Sequence, residues 1–193
     1  MYAVVLAAGS ATRFGSSKQL AEVDGVTLVQ RALNVANAAC TNNVLLVVGH
    51  DRQAVTEACD PMPGFIIVND HYSEGLSTSI SQAVRSIRHQ AGAIIILLAD
   101  QVLVTAGHVR ALVGAWSGAD DEIVATESNG RCGPPALFSR SCFDDLVALQ
   151  GDAGGRELLS DERFRVKRIR FEPAAVDIDT PEDLALERSS ERY

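Results

Sequence analysis

Long apolar runs are missing from this sequence. The longest uncharged ones, "VVLAA" and "AGAIIILLA", fall far short of the roughly 20 residues a bilayer span requires, and no charged segment precedes the first of them. A soluble cytoplasmic chain with no membrane partner is therefore expected. Cysteine is scarce. Cys40, Cys59, Cys132 and Cys142 share no C-x-x-C spacing, which argues against a disulfide scaffold or zinc knuckle and for buried free thiols. Positive charge is also short: 17 Lys and Arg stand against 25 Asp and Glu, a formal net charge of -8. That balance excludes nonspecific binding to nucleic acid or to an anionic membrane, both of which need a basic surface. A polyanionic ligand must then be gripped by a few locally placed cations. No repeat of 20 to 50 residues, low-complexity tract or long linker divides the chain. With 193 residues and 47% apolar content, it is long and apolar enough for one core, and a single domain over 1–193 is expected.

What is present is an alternation. Short Val- and Ile-rich runs occur at 3–8, 44–49, 65–68, 93–99 and 122–126, and read as buried strands. Between them lie "TLVQRALNVANAAC", "DRQAVTEAC", "STSISQAVRSIRHQ" and "TAGHVRALVGAW", whose apolar residues recur at three- and four-residue spacing, as in amphipathic helices. This order predicts an α/β fold with a mainly parallel central sheet, helices on both faces and ligands at the carboxyl ends of the strands, which the resemblance described below makes Rossmann-like. After about residue 127 the pattern is less regular, and the Gly-Pro-Pro at 133–135 suggests a substrate-facing elaboration.

The first strand is followed by "AAGSATRFGSSK", where a phosphate-binding loop of an α/β protein usually sits. It is not a Walker A loop, because Gly9 and Gly15 are six apart and Lys18 is followed by Gln19; G-x-G-x-x-G fails as well. What remains is a glycine turn whose backbone N–H groups can meet an anion, with two long cations, Arg13 and Lys18. Asp100 closes the most apolar strand and places a carboxylate on the same sheet edge, where a hard cation such as magnesium could share it with ligand phosphates. In "VDIDTPEDL" Asp177 and Asp179, at the end of a short strand, point the same way, so one could face a metal and the other support it or the first loop. The following residues are a helix start, with Thr180 as N-cap, Pro181 at the first position and Asp183 at the third. The four histidines, His50, His71, His89 and His108, read as surface or capping residues, and Trp116 as a packing residue. His71 and Tyr72 precede "EGLSTSI", close enough for one of them to touch a ligand.

Six segments in order, "LAAGSATRFGSSK", "EGLSTSI", "LLADQ", "GPPALF", "GDAGGRELL" and "DIDTPEDL", resemble the nucleotidyltransferases that attach a nucleotide to molybdopterin. The likeness spans nearly the whole chain and is greatest to the molybdenum cofactor cytidylyltransferase branch. It implies a nucleotide-binding part at about 1–126, an acceptor-facing part at about 127–176 and a metal-completing motif from 177. By position it puts the triphosphate on Ala7, Ala8, Gly9, Arg13 and Lys18 and the base near Gly75, Ser77 and Ser79. It makes Asp100 the principal magnesium ligand, completed by Asp179 or Asp177, with Asp179 preferred. Gln101, Pro134, Pro135 and Arg156 fall on the acceptor side, where Arg156 could meet a phosphate. Ala-Ala-Gly stands where guanylyl-transferring relatives usually carry Ala-Gly-Gly, which favours CTP over GTP; one methyl is worth only about 1–3 kcal/mol of such discrimination. Val102 stands where the family usually has proline, so φ at that turn is not held by a ring.

The reaction implied is an in-line displacement. A phosphate oxygen of molybdopterin cofactor bonds to the α-phosphorus of CTP, the α–β bridge breaks, and pyrophosphate leaves. A phosphomonoester is already ionised at neutral pH, so no general base is needed, in keeping with motifs that contain no His or Cys. Positioning and charge stabilisation do the work, with Arg13, Lys18 and the Asp100 site as the catalytic groups. The product could pass to a molybdenum enzyme. Two other readings share these features: nucleotidyl transfer to another phosphorylated small molecule, and a noncatalytic cofactor carrier, which would have no need of a triphosphate and metal site.

Overall fold

In the computed structural model, which describes residues 1–10 and 14–190, the apolar runs are strands and the amphipathic segments between them are helices. The chain order is β1 (Tyr2–Ala7), β2 (Glu22–Val23), β3 (Val26–Thr27), α1 (Leu28–Ala39), β4 (Val44–Val48), α2 (Arg52–Glu57), β5 (Phe65–Val68) and α3 (Leu76–Ile87). It continues through β6 (Ala93–Leu98), α4 (Ala106–Ala115), β7 (Glu122–Ser128), β8 (Arg131–Ser139), α5 (Phe143–Ala148), β9 (Arg165–Arg170) and α6 (Pro181–Ser190). A 7-stranded sheet has the order β5-β4-β1-β6-β8-β7-β9, and β2 pairs with β3 apart from it.

β1 runs parallel to β4 and β6, and β4 parallel to β5, so the strands ending at Ala7, Val48 and Leu98 finish along one edge. These strands are apolar at every position because both faces are covered. Val4 and Leu6 pack on the side of α3 and α5, while Ala3, Val5 and Ala7 pack on the side of α1 and α4. The helices begin where a hydroxyl can take an orphan amide: Thr27 Oγ1 accepts from Gln30 N at 3.3 Å, and Thr105 Oγ1 from His108 N at 3.2 Å.

Four features depart from the sequence reading. β5 is an edge strand, with Phe65 45% and Val68 42% exposed, so its apolar run is not buried. The segment after 127 supplies two full members of the main sheet, β8 and β9. β8 is antiparallel to both β6 and β7, and its pairing with β7 shifts register between Ala125 and Thr126, where Pro134 and Pro135 cannot donate to the ladder. β9, "RVKRIR", escaped notice because cations occupy most of its positions; it is held parallel to β7, and Arg165 pairs with Asp121 at 2.7 Å. Residues 176–179 form no strand. His108, expected at the surface, is buried: its Nε2 lies 2.7 Å from Thr126 Oγ1 and its ring stacks on Phe171 at 4.2 Å between centroids. Of the cysteines, Cys40, Cys59 and Cys142 are buried free thiols and Cys132 is half-buried.

One buried carboxylate gives the fold a measurable acid sensitivity. Glu122, at the start of β7, is 1% exposed, and burial alone would raise its pKa. The Ser117 N–H and hydroxyl, at 2.9 and 2.7 Å, and Lys167, at 3.0 Å, outweigh that and hold it below its ordinary 4.5. A carboxylate lowered in the folded state stabilises above its unfolded pKa, and that stability is lost as pH falls through the folded value. Urea titrations should therefore show the wild type losing stability below about pH 4.5, with Glu122→Gln less stable at neutral pH and less steep in acid; parallel curves would remove Glu122 from this role.

Candidate active site

The carboxyl ends of β1 and β6 open into a cleft of about 420 Å³, within the usual range for a small-molecule site. Ala7, Ala8 and Gly9 form its floor, Lys18 and Asp100 one wall, and Gly75 and Ser79 the other. These are sequence-predicted nucleotide and metal residues brought together from three separate stretches of the chain. Arg13 lies outside the described residues.

The loop after β1 is tied down by its own side chains. Gln19, 3% exposed, donates from Nε2 to Gly9 O at 2.7 Å, and the Ser17 hydroxyl donates to Asp51 at the start of α2. Lys18 is thereby aimed across the sheet edge, where its Nζ meets Asp100 Oδ2 at 2.5 Å and Asp179 Oδ1 at 2.9 Å. Its side chain is only 16% exposed. Burial opposes the ammonium charge, but Asp100 and Asp179 outweigh it and raise the Lys18 pKa above its ordinary value.

Asp100 is placed by its backbone. Its carbonyl accepts from Val102 N and from Ile178 N, both at 3.0 Å. Val102, which stands where a proline would lock φ, thus closes the turn with an N–H that proline lacks, and its side chain packs with Ile178, Leu184 and Leu28. Ile178 is fully buried in that cluster, which leaves Asp177 and Asp179 on either side of it. Asp179 lines the cleft and bonds Lys18; Asp177 is not part of the cleft wall. Asp177 is exposed, yet partial desolvation of its carboxyl, together with the Asp100 and Asp179 carboxylates, pushes it up to about 6. The helix start behind them is a reciprocal box, with Asp183 N donating to Thr180 Oγ1 at 3.2 Å and Thr180 N donating to Asp183 Oδ2 at 2.8 Å.

The residues fit a divalent cation. Asp100 Oδ1 is buried without a hydrogen-bond partner, and Lys18 is the ammonium that Asp100 and Asp179 share. Among the described residues no group of three or more His, Cys, Asp or Glu is arranged to hold a metal unaided. Asp100 and Asp179 therefore offer the one or two protein carboxylates that magnesium takes when ligand phosphates and water complete its shell.

The opposite wall depends on contacts the sequence does not announce. Asn69, fully buried after β5, donates to Thr78 Oγ1 at 2.9 Å and to Ser79 Oγ at 2.8 Å, and accepts from His71 N and Gln82 Nε2, both at 2.9 Å. It folds the 69–79 turn over the cleft; its one sequence signal is an asparagine directly after an apolar strand. Tyr72 lines the cleft, while His71 is turned out to Glu74 at 2.8 Å. Ser77, expected at the base, is 2% exposed and uses its N–H on Gly151 O at 3.0 Å. That contact seats the "GDAGG" loop on Gly75, whose φ is +116° and whose missing Cβ would lie 2.2 Å from the Gly151 carbonyl carbon. Gly75→Ala should cost about 2–4 kcal/mol of stability by denaturant titration and widen the cleft wall; an unchanged unfolding midpoint would show that the two loops separate freely.

On the acceptor side, Pro134 and Arg156 line a smaller hollow beside the cleft, and Pro135 faces away from it. Gln101 is turned inward: its Nε2 donates to Pro134 O at 3.1 Å and to Ala174 O at 2.9 Å, so it braces the acceptor segment from behind.

Fold and site together define an α/β nucleotidyltransferase. Residues 3–167 match the MobA-like NTP transferase domain, and the chain belongs to that family. Purine catabolism protein PucB of Bacillus subtilis (strain 168) is 30% identical over 96% of this chain and 94% of its own. Molybdenum cofactor cytidylyltransferase of Escherichia coli (strain K12) is 26% identical over 98% of this chain and 95% of its own. The solved structure of Rv0371c from Mycobacterium tuberculosis H37Rv superposes with a TM-score of 0.84 at 27% identity, covering 97% of each chain. A second structure of Rv0371c is a complex with manganese, with a TM-score of 0.81, 27% identity and 98% of each chain covered. Among the described residues no helix is long and apolar enough to cross a membrane.

Proposed function

We propose that this nucleotidyltransferase transfers CMP from CTP to the terminal phosphate of molybdopterin cofactor, releasing pyrophosphate, with magnesium as the metal. The observation that carries the reading is the convergence of Lys18, Asp100 and Asp179 at the mouth of the cleft whose floor is Ala7-Ala8-Gly9. Two further points support it: the full-length similarity to the E. coli cytidylyltransferase, and the manganese bound by the mycobacterial neighbour.

Asp100 and Asp179 would hold the cation, which when bound supplies charge to bring the two phosphate groups together. The chain's own residues do the rest. The backbone of Ala8 and Gly9 follows the phosphates, with Arg13 proposed alongside them. Lys18, kept protonated by its two aspartates, stands ready to offset charge gathering on the departing pyrophosphate. Gly75 and Ser79 border the nucleoside, with Ser77 holding that wall from behind. Pro134 and Arg156 face the acceptor, and Gln101 and Pro135 support them.

Calorimetry with CTP, GTP and ATP, with and without magnesium, tests the nucleotide half of this reading. Magnesium-dependent binding at least tenfold tighter for CTP is expected. Preference for GTP or ATP would overturn the cytidylyl assignment, and pyrophosphate release from CTP with molybdopterin cofactor tests the acceptor half. Nucleotide binding without that release would move the acceptor to another phosphorylated small molecule.

A further inference from the structure

Beside the main cleft, and sharing Leu6, Leu76 and Leu98 with its wall, lies a hollow of about 70 Å³. Every side chain lining it is apolar except Arg156. The hollow exists because two residues around it are small. Ala136 of β8 sits between Ile96 and Ala125 on the neighbouring strands, and Gly155 lets the "GDAGG" loop press on the Phe138 ring, whose Cζ lies 2.4 Å from where a Cβ would be. At roughly 10–15 Å³ for each water-sized sphere, the space suits about five heavy atoms. Arg156 lies exposed at its rim, and its guanidinium makes no hydrogen bond or ion pair with any described residue, whereas Arg88, Arg163, Arg165 and Arg170 are each paired with a carboxylate.

We infer that this hollow seats a compact apolar group of the acceptor while Arg156 grips an anionic group at its mouth, so that the enzyme selects an amphiphilic phosphate with a short apolar arm. The inference rests on the nucleotidyl-transfer reading for calling its occupant the acceptor. The lining offers no hydrogen-bonding side chain inside the hollow, so the amide and amine edges of a pterin ring would be left unpaired there. Such a ring belongs in the open cleft, and the hollow takes an apolar, polarisable portion of the molecule next to its phosphate. The hollow adjoins the cleft that Asp100 lines at Leu6 and Leu98, on the ends of β1 and β6.

The test uses methyl, propyl, pentyl and decyl phosphate as probes, with binding measured by calorimetry and by ligand-observed NMR. Affinity should rise at least tenfold from methyl to pentyl phosphate and then level off, because the hollow is full. Arg156→Gln should weaken every member about tenfold, and Leu159→Trp, which fills the hollow from its rim, should erase the preference for pentyl while leaving CTP binding unchanged. A flat series overturns the inference, as does an affinity that keeps climbing to decyl phosphate or ignores Arg156. If Leu159→Trp does not fold, the wild-type series with Arg156→Gln decides alone. Intact CTP binding with a flat series removes only the apolar pocket. A clear chain-length optimum in a protein that binds no nucleotide keeps the pocket and overturns the nucleotidyl-transfer reading.

Discussion

Lys18→Ala is expected to lower nucleotidyl transfer about 100-fold or more while the protein stays folded. The side chain reaches the cleft from the loop after β1 and ends 2.5 Å from Asp100 and 2.9 Å from Asp179, so it touches the two carboxylates proposed to hold the metal. Its removal leaves partly buried carboxylates facing one another without their ammonium. Stability should fall by about 1–3 kcal/mol in the absence of divalent cations, and millimolar magnesium should restore much of it. Activity should not return, because added cation replaces the charge between the aspartates and not the donor that follows the leaving group. Thermal melts with and without magnesium, together with single-turnover rates, separate the two roles. Near-wild-type turnover would remove Lys18 from the reaction; a rate restored by magnesium would reduce it to a counter-charge.

Asp100→Asn should abolish magnesium-dependent activity, a loss of about 100- to 1000-fold, with little change in the fold. Asparagine keeps the shape of the side chain, and the turn is held by the Asp100 carbonyl, which accepts from Val102 and Ile178 N–H groups and is untouched by the substitution. What is lost is an anionic oxygen donor whose partner atom Oδ1 is buried without a hydrogen bond. The same logic ranks the other two aspartates. Asp179→Asn should lose most of the activity, since Asp179 lines the cleft and bonds Lys18, and Asp177→Asn should lose less, since Asp177 does not. Magnesium titration of the rates measures all three; metal dependence unchanged in Asp100→Asn would count against the whole site.

The reach of the sequence differs from one part of the molecule to the next, for physical reasons. β1, β4 and β6 are buried on both faces, so their residues must be apolar throughout, and continuous Val and Ile runs make them legible. The helices repeat at the spacing of the face they bury, and the Thr180–Asp183 box is local chemistry that needs no tertiary partner. Asp100 was legible for a related reason: a charged residue ending the most apolar strand leaves the core at the edge where parallel strands deliver ligands.

Other features have no local signature. β9 is mostly charged, and only pairing with β7 makes it a strand. His108 looks like a surface residue of α4 until β7 and Phe171 cover it. The demand for glycine at position 75 comes from Gly151, which approaches from another loop. What distinguishes Asp179 from Asp177 has no local signature either: Asp179 is the one that meets Lys18, which arrives from the other end of the chain. The sequence by itself thus determined the parallel core strands, the helices between them and the edge where those strands end, because burial and periodicity act on neighbours along the chain. Only the tertiary structure decided which side chains meet there, because those meetings join residues far apart in sequence and leave no periodic trace.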